Sequence, residues 1–354
     1  MKAILLAGGK GTRLRPLTLH TPKPIVPIFN RPFLLYQLDL LRQIPSIDEV
    51  ILSLNYQPGR IEDLIGDGHD LGVKIRYVVE PAPLGTGGAV KYAEPYLDDA
   101  VVVFNGDVLT QIDLAAVLRL HREREARATI VLSPVENPSA YGLVETDDDA
   151  NVKRFLEKPK ADEITCNTIN AGIYIIEPDT LDRIPKETHW SIERSYFPSL
   201  IERGERFVAY VSSGYWIDIG TPDKYRQVHR DIMDGRFAAA PFRNRATGTA
   251  IVAKTAKVDP GARLEGPCFI DEGVTVKADA QIGPYTVLGR DCKVKEGARL
   301  DGAILWPYGE VEAGATVSDA ILGRGCQIGE NAIIGAGTIL GDKSVITEYG
   351  RSGR

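Results

Sequence analysis

The chain has 354 residues, of which 44% are hydrophobic and 25% charged, a composition typical of a soluble globular protein with room for two domains. Its net charge of −6 argues against nonspecific binding to nucleic acid or to an anionic membrane. The apolar run at the N-terminus is too short for a signal peptide or a membrane span, and the four cysteines lack metal-site spacing. We therefore expect reduced thiols in a cytoplasmic protein.

Short apolar segments alternate with helical patterns in the first part of the chain. The segments "KAILLA", "EVILSL", "KIRYVV", "AVVVFN" and "ATIVLS" have the character of buried strands. Between them, apolar residues recur at helical spacing, as at Leu34, Leu38 and Leu41. This alternation predicts an α/β domain with a mixed, mostly parallel sheet. Ligands of such sheets bind at the carboxyl ends of the strands.

A six-residue period begins after a linker at residues 236–248. Aliphatic residues stand at every sixth position from Val252 to Leu300, and the period then continues with two shifts of phase. A hexapeptide period is typical of a parallel β-helix, in which the aliphatic residue of each hexad points inward. We therefore predict a left-handed parallel β-helix over 249–354, following an α/β domain over 1–235.

The histidines of the chain bear on the role of the predicted β-helix. Acyltransferases with such repeats usually carry a histidine in the coils as general base. The histidines of this chain are His20, His69, His121, His189 and His229. Since none of them lies in the repeats, we expect the β-helix to be structural and to form a homo-oligomer.

The segment "LLAGGKGTRLRPLTLHTPKP", residues 5–24, follows the first predicted strand directly. Glycine permits positive φ and close approach to a ligand, and successive backbone N–H groups in such a turn bind anions. Leu14 replaces the third glycine of the dinucleotide fingerprint, and the Lys-Ser/Thr pair of a P-loop is missing. With Arg13, Arg15 and Lys23 following the glycines, the segment predicts a phosphate-binding turn of another kind.

This turn and six later motifs together resemble the signature of the sugar nucleotidyltransferases, which join a sugar 1-phosphate to an NTP and release pyrophosphate. The motifs are "GGKGTRLRPLT…TPKP", "EPAPLGTGGAV", "FNGDVL", "YGLVE", "FLEKP", "NAGIYI" and "WIDIGTPDKY". The hexapeptide tail is similar to the C-terminal domain of many family members. The resemblance implies a Rossmann-like nucleotidyltransferase domain followed by the β-helix.

The resemblance also implies three groups of site residues. Those implied for the nucleotide are Leu6, Ala7, Gly8, Gly9, Gly11, Thr12, Arg13, Glu80, Gly85 and Thr86. Those implied for the sugar phosphate are Gly142, Glu157, Lys158 and Asn170. The implied catalytic residues are Arg13, Lys23, Asp107 and Asp218. Of these, Asp107 and Asp218 would hold Mg²⁺, a cation that prefers carboxylate, water and phosphate oxygens.

The roles implied for these residues follow from the charge of the reactants. Because both are anionic, catalysis consists mostly of positioning and charge neutralisation. Arg13 would bind the β- and γ-phosphates and stabilise the leaving pyrophosphate. Lys23 would reach the reacting phosphates, and Lys158 would bind the phosphate of the sugar.

Glu80 stands where thymidylyl- and uridylyltransferases of the family carry glutamine. An amide offers one donor and one acceptor, as thymine and uracil require, whereas a carboxylate offers two acceptors. These acceptors match the adjacent N1–H and N2–H₂ donors of guanine, which favours GTP.

The sugar is indicated by the motifs "PKPIVPIFNRP" and "PLGTGGA". They look more like mannose-1-phosphate guanylyltransferases than thymidylyltransferases, so mannose 1-phosphate is the favoured second substrate and GDP-mannose the favoured product. A glucose-1-phosphate uridylyl- or thymidylyltransferase and a non-catalytic regulatory relative are the alternatives.

Overall fold

A computed structural model describes residues 1–353 of the chain. The chain divides into two compact units. The α/β unit comprises Met1–Lys10 and Leu34–Asp218, and the β-helix unit comprises Gly11–Phe33 and Ile219–Arg354. The boundaries predicted for the domains remain a prediction. The division into units differs from them because the segment 11–33 packs with the later part of the chain.

The elements that precede the repeats alternate strands and helices, as the sequence predicted. The strands are β1 (Lys2–Leu6), β2 (Pro27–Ile28), β3 (Arg31–Pro32), β4 (Glu49–Leu54), β5 (Lys74–Val79), β6 (Val101–Asn105), β7 (Val108–Thr110), β8 (Ala128–Pro134), β9 (Gly142–Thr146), β10 (Val152–Glu157), β11 (Thr168–Ile176), β12 (Phe207–Val211) and β13 (Trp216–Asp218). The α-helices are α1 (Phe33–Leu41), α2 (Pro58–Ile65), α3 (Gly85–Ala93), α4 (Leu114–Glu123), α5 (Phe197–Glu202) and α6 (Pro222–Met233). No helix between residues 1 and 353 combines the length and the apolar character needed to cross a bilayer.

The α/β unit is built on one mixed nine-stranded sheet. In this sheet β5, β4, β1 and β6 run parallel in that order, and β6 pairs antiparallel with β11. Beyond β11 lie the antiparallel hairpin of β9 and β10 and the parallel pair of β8 and β12. The residues of β4 are all buried, and those of β1 and β6 nearly so, as expected for parallel strands covered on both faces. The predicted α/β fold is confirmed.

The repeats form three six-stranded sheets in which each strand pairs parallel with its counterpart one coil further on. The strands are β14 (Ala250–Val252), β15 (Lys257–Val258), β16 (Arg263–Leu264), β17 (Cys268–Ile270), β18 (Thr275–Val276), β19 (Gln281–Ile282), β20 (Val287–Leu288), β21 (Lys293–Val294), β22 (Arg299–Asp301), β23 (Ile304–Leu305), β24 (Glu310–Val311), β25 (Thr316–Ser318), β26 (Ile321–Leu322), β27 (Gln327–Ile328), β28 (Ile333–Ile334), β29 (Ile339–Leu340), β30 (Val345–Ile346) and β31 (Arg351–Ser352). Stacked parallel sheets of this kind are those of the predicted left-handed β-helix.

The two shifts of phase in the hexapeptide period are explained by shorter coils. Ile282 pairs with Leu300, 18 residues further on, whereas Leu300 pairs with Val317, only 17 residues further on. The next coil is shortened in the same way, since Val317 pairs with Ile334. In both coils one residue is missing at a corner, so the inward-pointing residues stay stacked and buried.

The segment 11–33 of the β-helix unit is fixed by a buried cluster around Phe29. The ring of Phe29 contacts those of Phe242 and Phe269, with centroids 5.4 Å apart in each case. His229 of α6 is 1% exposed. It accepts the Phe29 amide at Nε2 over 3.1 Å and donates from Nδ1 to the Tyr225 carbonyl over 2.9 Å. This arrangement requires the neutral imidazole, because a proton on Nε2 would place two donors face to face.

Burial lowers the pKa of His229 to about 4. The unfolded chain therefore binds a proton at this residue below about pH 6.5, where the folded chain does not, and acidification favours the unfolded state. Because of His229, we expect the free energy of unfolding to be about 2 kcal/mol smaller at pH 5 than at pH 7.5. Urea unfolding at both pH values should show a smaller loss in His229→Asn than in the wild type.

The matched control for this experiment is His69→Asn, since His69 is exposed. Its pH dependence should equal that of the wild type. Equal pH dependence in His229→Asn and the wild type would contradict the role assigned to the buried imidazole.

Candidate functional site

The carboxylates predicted to hold the metal lie at neighbouring positions of the two-stranded sheet of β7 and β13. Asp107 directly precedes β7, and the antiparallel register sets Asp218 opposite Val108. Asp218 is 9% exposed, and its Oδ1 accepts the hydroxyl of Tyr141 at 3.2 Å. Two residues that are far apart in sequence are therefore brought together by strand pairing.

The donor set of Asp107 and Asp218 fits Mg²⁺. This cation is usually bound through one or two carboxylates, and water and substrate phosphate complete its coordination. No group of three or more His, Cys, Asp or Glu side chains within residues 1–353 is arranged to hold a metal. A pair of carboxylates is a ligand set that leaves coordination positions for water and substrate phosphate.

Hydrogen bonds to Gln37 and to Leu6 hold the backbone on either side of Asp107. The side-chain amide of Gln37 donates to the carbonyls of Asn105 and Val108, at 2.9 and 2.8 Å. The Gly106 amide donates to the carbonyl of Leu6, the last residue of β1, at 3.0 Å. A Cβ on Gly106 would overlap that oxygen, so only glycine allows this approach.

The first residues of the predicted nucleotide group lie beside the end of the strand that leads to Asp107. Leu6 ends β1 opposite Asn105, the last residue of β6, and Ala7 follows it. Gly9 is exposed, and no atom lies within 4 Å of the position that its Cβ would occupy. The turn after β1 therefore leaves space at the carboxyl edge of the sheet, where ligands of such folds bind.

Glu80 follows β5 at the same edge of the sheet and is 7% exposed. Its Oε1 accepts the Ser53 hydroxyl at 3.0 Å, and its Oε2 accepts the Leu84 amide at 2.9 Å. A Cβ on Gly8 would lie 3.4 Å from Oε1. The carboxylate is thus held in one orientation beside the glycine turn. Each of its oxygens has the capacity to accept a second hydrogen bond.

The residues predicted for the sugar phosphate begin at the end of the hairpin of β9 and β10. Glu157 pairs with Gly142, and a Cβ on Gly142 would lie 2.7 Å from Phe155 Cζ and 3.0 Å from Glu157 Oε2. The amide of Lys158 donates to the Tyr141 carbonyl at 2.9 Å. Lys158 has φ 54°, a left-handed conformation that is uncommon for residues other than glycine. The hairpin therefore joins the predicted sugar residues to Tyr141, whose hydroxyl donates to Asp218.

Asn170 lies at an irregularity of β11. Its Nδ2 donates to the Tyr174 hydroxyl, and its Oδ1 accepts the Gly172 amide, both at 2.8 Å. Gly172 has φ 74°, and a Cβ there would lie 2.9 Å from Asn105 Nδ2. The Oδ1 of Asn105 is buried without a hydrogen-bond partner among the described residues. This acceptor, together with the hydroxyl of Tyr141, was missed by the sequence analysis.

Gly85 and Thr86, predicted for the nucleotide, begin α3 and contact a later segment of the same unit. The Thr86 hydroxyl donates to Glu193 Oε2 at 2.8 Å and accepts the Ile192 amide at 2.9 Å. A Cβ on Gly85 would lie 2.7 Å from the Trp190 carbonyl. These chain contacts alone account for a glycine and a threonine here, and nucleotide binding by either residue stays a prediction.

The remaining predicted residues belong to the β-helix unit. Gly11 has φ 60°, and a Cβ there would lie 3.0 Å from Lys23 Cβ. The Thr18 hydroxyl donates to the Gly11 carbonyl at 2.7 Å. Thr12 and Arg13 lie on an exposed 3₁₀ turn, whereas Lys23 is only 9% exposed. The turn therefore brings Gly11 and Lys23 together within its own unit.

Comparison with known proteins identifies the family. Residues 2–235 match the family described as nucleotidyl transferase, and residues 264–349 match the GMPPB C-terminal domain. The chain belongs to the nucleotidyl transferase family. The resemblance seen in the sequence is thereby confirmed.

Individual relatives cover most of the chain. It is 40% identical over 317 residues to a mannose-1-phosphate guanylyltransferase of Mycobacterium tuberculosis, covering 89% of this chain and 82% of the relative. It is 33% identical to a UTP–glucose-1-phosphate uridylyltransferase of Synechocystis, covering 92% and 88% of the two chains. The crystal structure of HddC from Yersinia pseudotuberculosis complexed with GMP-PN is 31% identical, with a TM-score of 0.55, and covers 64% of this chain and 96% of that one.

We expect Gly142→Ala to impair the sugar-phosphate pocket, because the new Cβ would displace the Glu157 carboxylate or the Phe155 ring. In a nucleotidyl-transfer assay, KM for the sugar phosphate should rise about 10- to 100-fold, with a much smaller change in KM for the nucleotide. Gly59→Ala is the matched control, since no atom lies within 4 Å of its Cβ position. Unchanged kinetics in Gly142→Ala would show that Glu157 does not depend on the glycine.

Proposed function

We propose that the protein transfers a guanylyl group from GTP to mannose 1-phosphate, giving GDP-mannose and pyrophosphate. The observation that carries the proposal is the buried, oriented carboxylate of Glu80 at the carboxyl edge of the sheet, the edge at which β6 also ends before Asp107. The name of the Mycobacterium tuberculosis relative, mannose-1-phosphate guanylyltransferase, supports both substrates, and the complex of HddC with GMP-PN agrees with the nucleotide.

The base preference follows from hydrogen-bond chemistry. Guanine presents N1–H and N2–H₂ side by side, and the two oxygens of Glu80 accept both donors. Uracil and thymine present one such donor beside a carbonyl oxygen, which would face a carboxylate oxygen without a proton between them. The Ser53 hydroxyl and the Leu84 amide hold the carboxylate in place, and each of its oxygens has a further lone pair for a donor of the base.

The reaction needs no covalent intermediate with the protein. A phosphate oxygen of mannose 1-phosphate attacks the α-phosphorus of GTP, and the bond from that phosphorus to the bridging oxygen breaks as pyrophosphate leaves. We assign Arg13 and Lys23 to the charge of the nucleotide phosphates and Lys158 to the sugar phosphate. Glu157 and Asn170 accept or donate hydrogen bonds at the sugar hydroxyls and hold the nucleophile in line.

We further propose that Asp107 and Asp218 hold Mg²⁺ during turnover. Bound there, the cation would supply charge neutralisation at the α-phosphate and a fixed orientation for the reactants. The Tyr141 hydroxyl orients Asp218 for this task, as outer hydrogen bonds commonly do for carboxylate ligands.

Self-association through the β-helix and a cytoplasmic location are part of the same proposal. Val345 and Tyr349, in the last coil, are 60% and 70% exposed, which leaves apolar surface at the open end of the repeats. The four cysteines are free thiols, as expected in a reducing compartment.

Pyrophosphate release tests the substrates. The wild type is assayed with GTP, UTP and dTTP, each combined with mannose 1-phosphate and with glucose 1-phosphate. We expect the highest kcat/KM for GTP with mannose 1-phosphate, and a loss of at least about tenfold in the preference for GTP over UTP in Glu80→Gln. A preference for UTP with glucose 1-phosphate would replace our proposal by the activity named for the Synechocystis relative. Silence with every pair would favour a regulatory protein.

Removal of either carboxylate tests the metal site. Asp107→Asn and Asp218→Asn should each lower kcat at saturating Mg²⁺ by about 100-fold or more, because the charge that holds the cation is lost. Asp113→Asn is the control, since Asp113 caps α4 through the Ala116 amide and pairs with Arg119 of the same helix, away from the predicted site residues. Activity that persists in the presence of EDTA, or unaltered kcat in both site variants, would rule out this metal site.

A further inference from the structure

Glu193 lies in none of the sequence motifs, yet it is hydrogen-bonded to one of them at Thr86. It lies in a π-helical turn, Ile192–Tyr196, a rare conformation that is frequent at functional sites. Its Oε2 accepts the hydroxyls of Thr86 and Ser191, both at 2.8 Å. Thr86 is the second residue of α3. One carboxylate oxygen therefore links the start of α3 to the turn before α5.

The backbone around Glu193 is fixed to the same end of α3. The Trp190 carbonyl accepts the amides of Gly87 and Gly88, at 2.8 and 3.2 Å, and the Trp190 amide donates to the Leu84 carbonyl at 2.8 Å. A Cβ on Gly87 would lie 3.1 Å from the Trp190 ring. The glycines of "LGTGG" are thus explained by this close packing, which holds the carboxylate of Glu193 in place.

Glu193 also acts on the sugar-pocket residue Glu157. Burial raises the pKa of Glu157, and the negative charge of Glu193 raises it further, while Lys158 and Arg194 lower it. Burial and the charges of both carboxylates raise the pKa of Tyr174 well above its usual value. The turn that carries Glu193 packs against β10, which ends at Glu157, and the Tyr174 hydroxyl accepts Asn170 Nδ2 of the predicted sugar group.

We propose that Glu193 is a positioning residue for sugar-phosphate binding, which fixes α3 through Thr86 and places a second negative charge beside Glu157. The inference rests on the proposed function and extends it. Two carboxylates at one pocket accept hydrogen bonds from the hydroxyls of a neutral hexose and repel a sugar that carries a further acidic group. Glu193 thereby links the segment predicted for the nucleotide to the pocket predicted for the sugar.

Glu193→Gln separates the hydrogen bond to Thr86 from the negative charge beside Glu157. The amide oxygen of glutamine still accepts the Thr86 hydroxyl, but the charge beside Glu157 is gone. Glu157 then loses its proton at a lower pH and remains an acceptor for sugar hydroxyls in more acidic solution. We expect the acid limb of kcat/KM for the sugar phosphate to move to lower pH, while KM for the nucleotide stays within about twofold of the wild type.

Glu193→Ala removes both the hydrogen bond to Thr86 and the negative charge. Here KM for the nucleotide should also rise, by about threefold or more, because the start of α3 loses its hydrogen bond. If KM for the nucleotide is normal in Glu193→Gln and raised in Glu193→Ala, the hydrogen bond to Thr86 positions α3. A general loss of stability would raise this KM in both variants. Glu202→Gln, an exposed residue of α5, controls for the change in net charge and should match the wild type in every respect.

A readout that does not need activity completes the test. The titration of Glu157, followed by carbon-13 NMR in protein labelled at glutamate and assigned with Glu157→Gln, should move to lower pH in Glu193→Gln. An unmoved titration and a pH profile equal to that of the wild type would overturn the role of Glu193. Absence of transfer by the wild type would instead contradict the proposed function, and the NMR titration would still decide whether Glu193 sets the ionisation of Glu157.

Discussion

The candidate active site depends on the antiparallel pairing of β7 with β13. This short sheet sets Asp218 opposite Val108, next to Asp107, and so brings two acidic residues to neighbouring backbone positions. Carboxylates that share a site repel each other unless donors or a cation compensate. The Tyr141 hydroxyl is one such donor, and the cation we propose supplies the larger compensation. The same tyrosine accepts the Lys158 amide at its carbonyl, so Asp218 of the predicted metal pair and Lys158 of the predicted sugar group are both hydrogen-bonded to Tyr141.

Glycine serves the site by admitting close backbone approach at several motifs. At Gly106 the backbone of β1 occupies the space of a side chain, and at Gly142 the carboxylate of Glu157 does so. At Gly87 the ring of Trp190 lies against the chain. At Gly106 and Gly87 the neighbour comes from a distant part of the sequence, and at Gly142 it comes from the next strand, β10. The glycines therefore secure the relative positions of segments that carry predicted site residues, in addition to any role beside the nucleotide.

Sequence reasoning succeeded where the information is local and periodic. The five apolar runs form β1, β4, β5, β6 and β8, and the hexapeptide period forms the three parallel sheets. It could also group residues such as Asp107 and Asp218 through motif order. It could not find the hydrogen bonds of Glu193 or the unpaired oxygen of Asn105, because these depend on side-chain packing between segments without a shared period. The compact units, too, are decided by nonlocal contacts such as those of Phe29.

The coils of 17 and 18 residues have a consequence for how this domain can vary in length. Each coil closes on the next through parallel pairing, whether or not a corner lacks one residue. A stack of this kind is stabilised by contacts between neighbours. A stack of this kind can accordingly accept a further whole turn at its end with the same packing between neighbours, because each coil presents to the next the edge that it received from the one before.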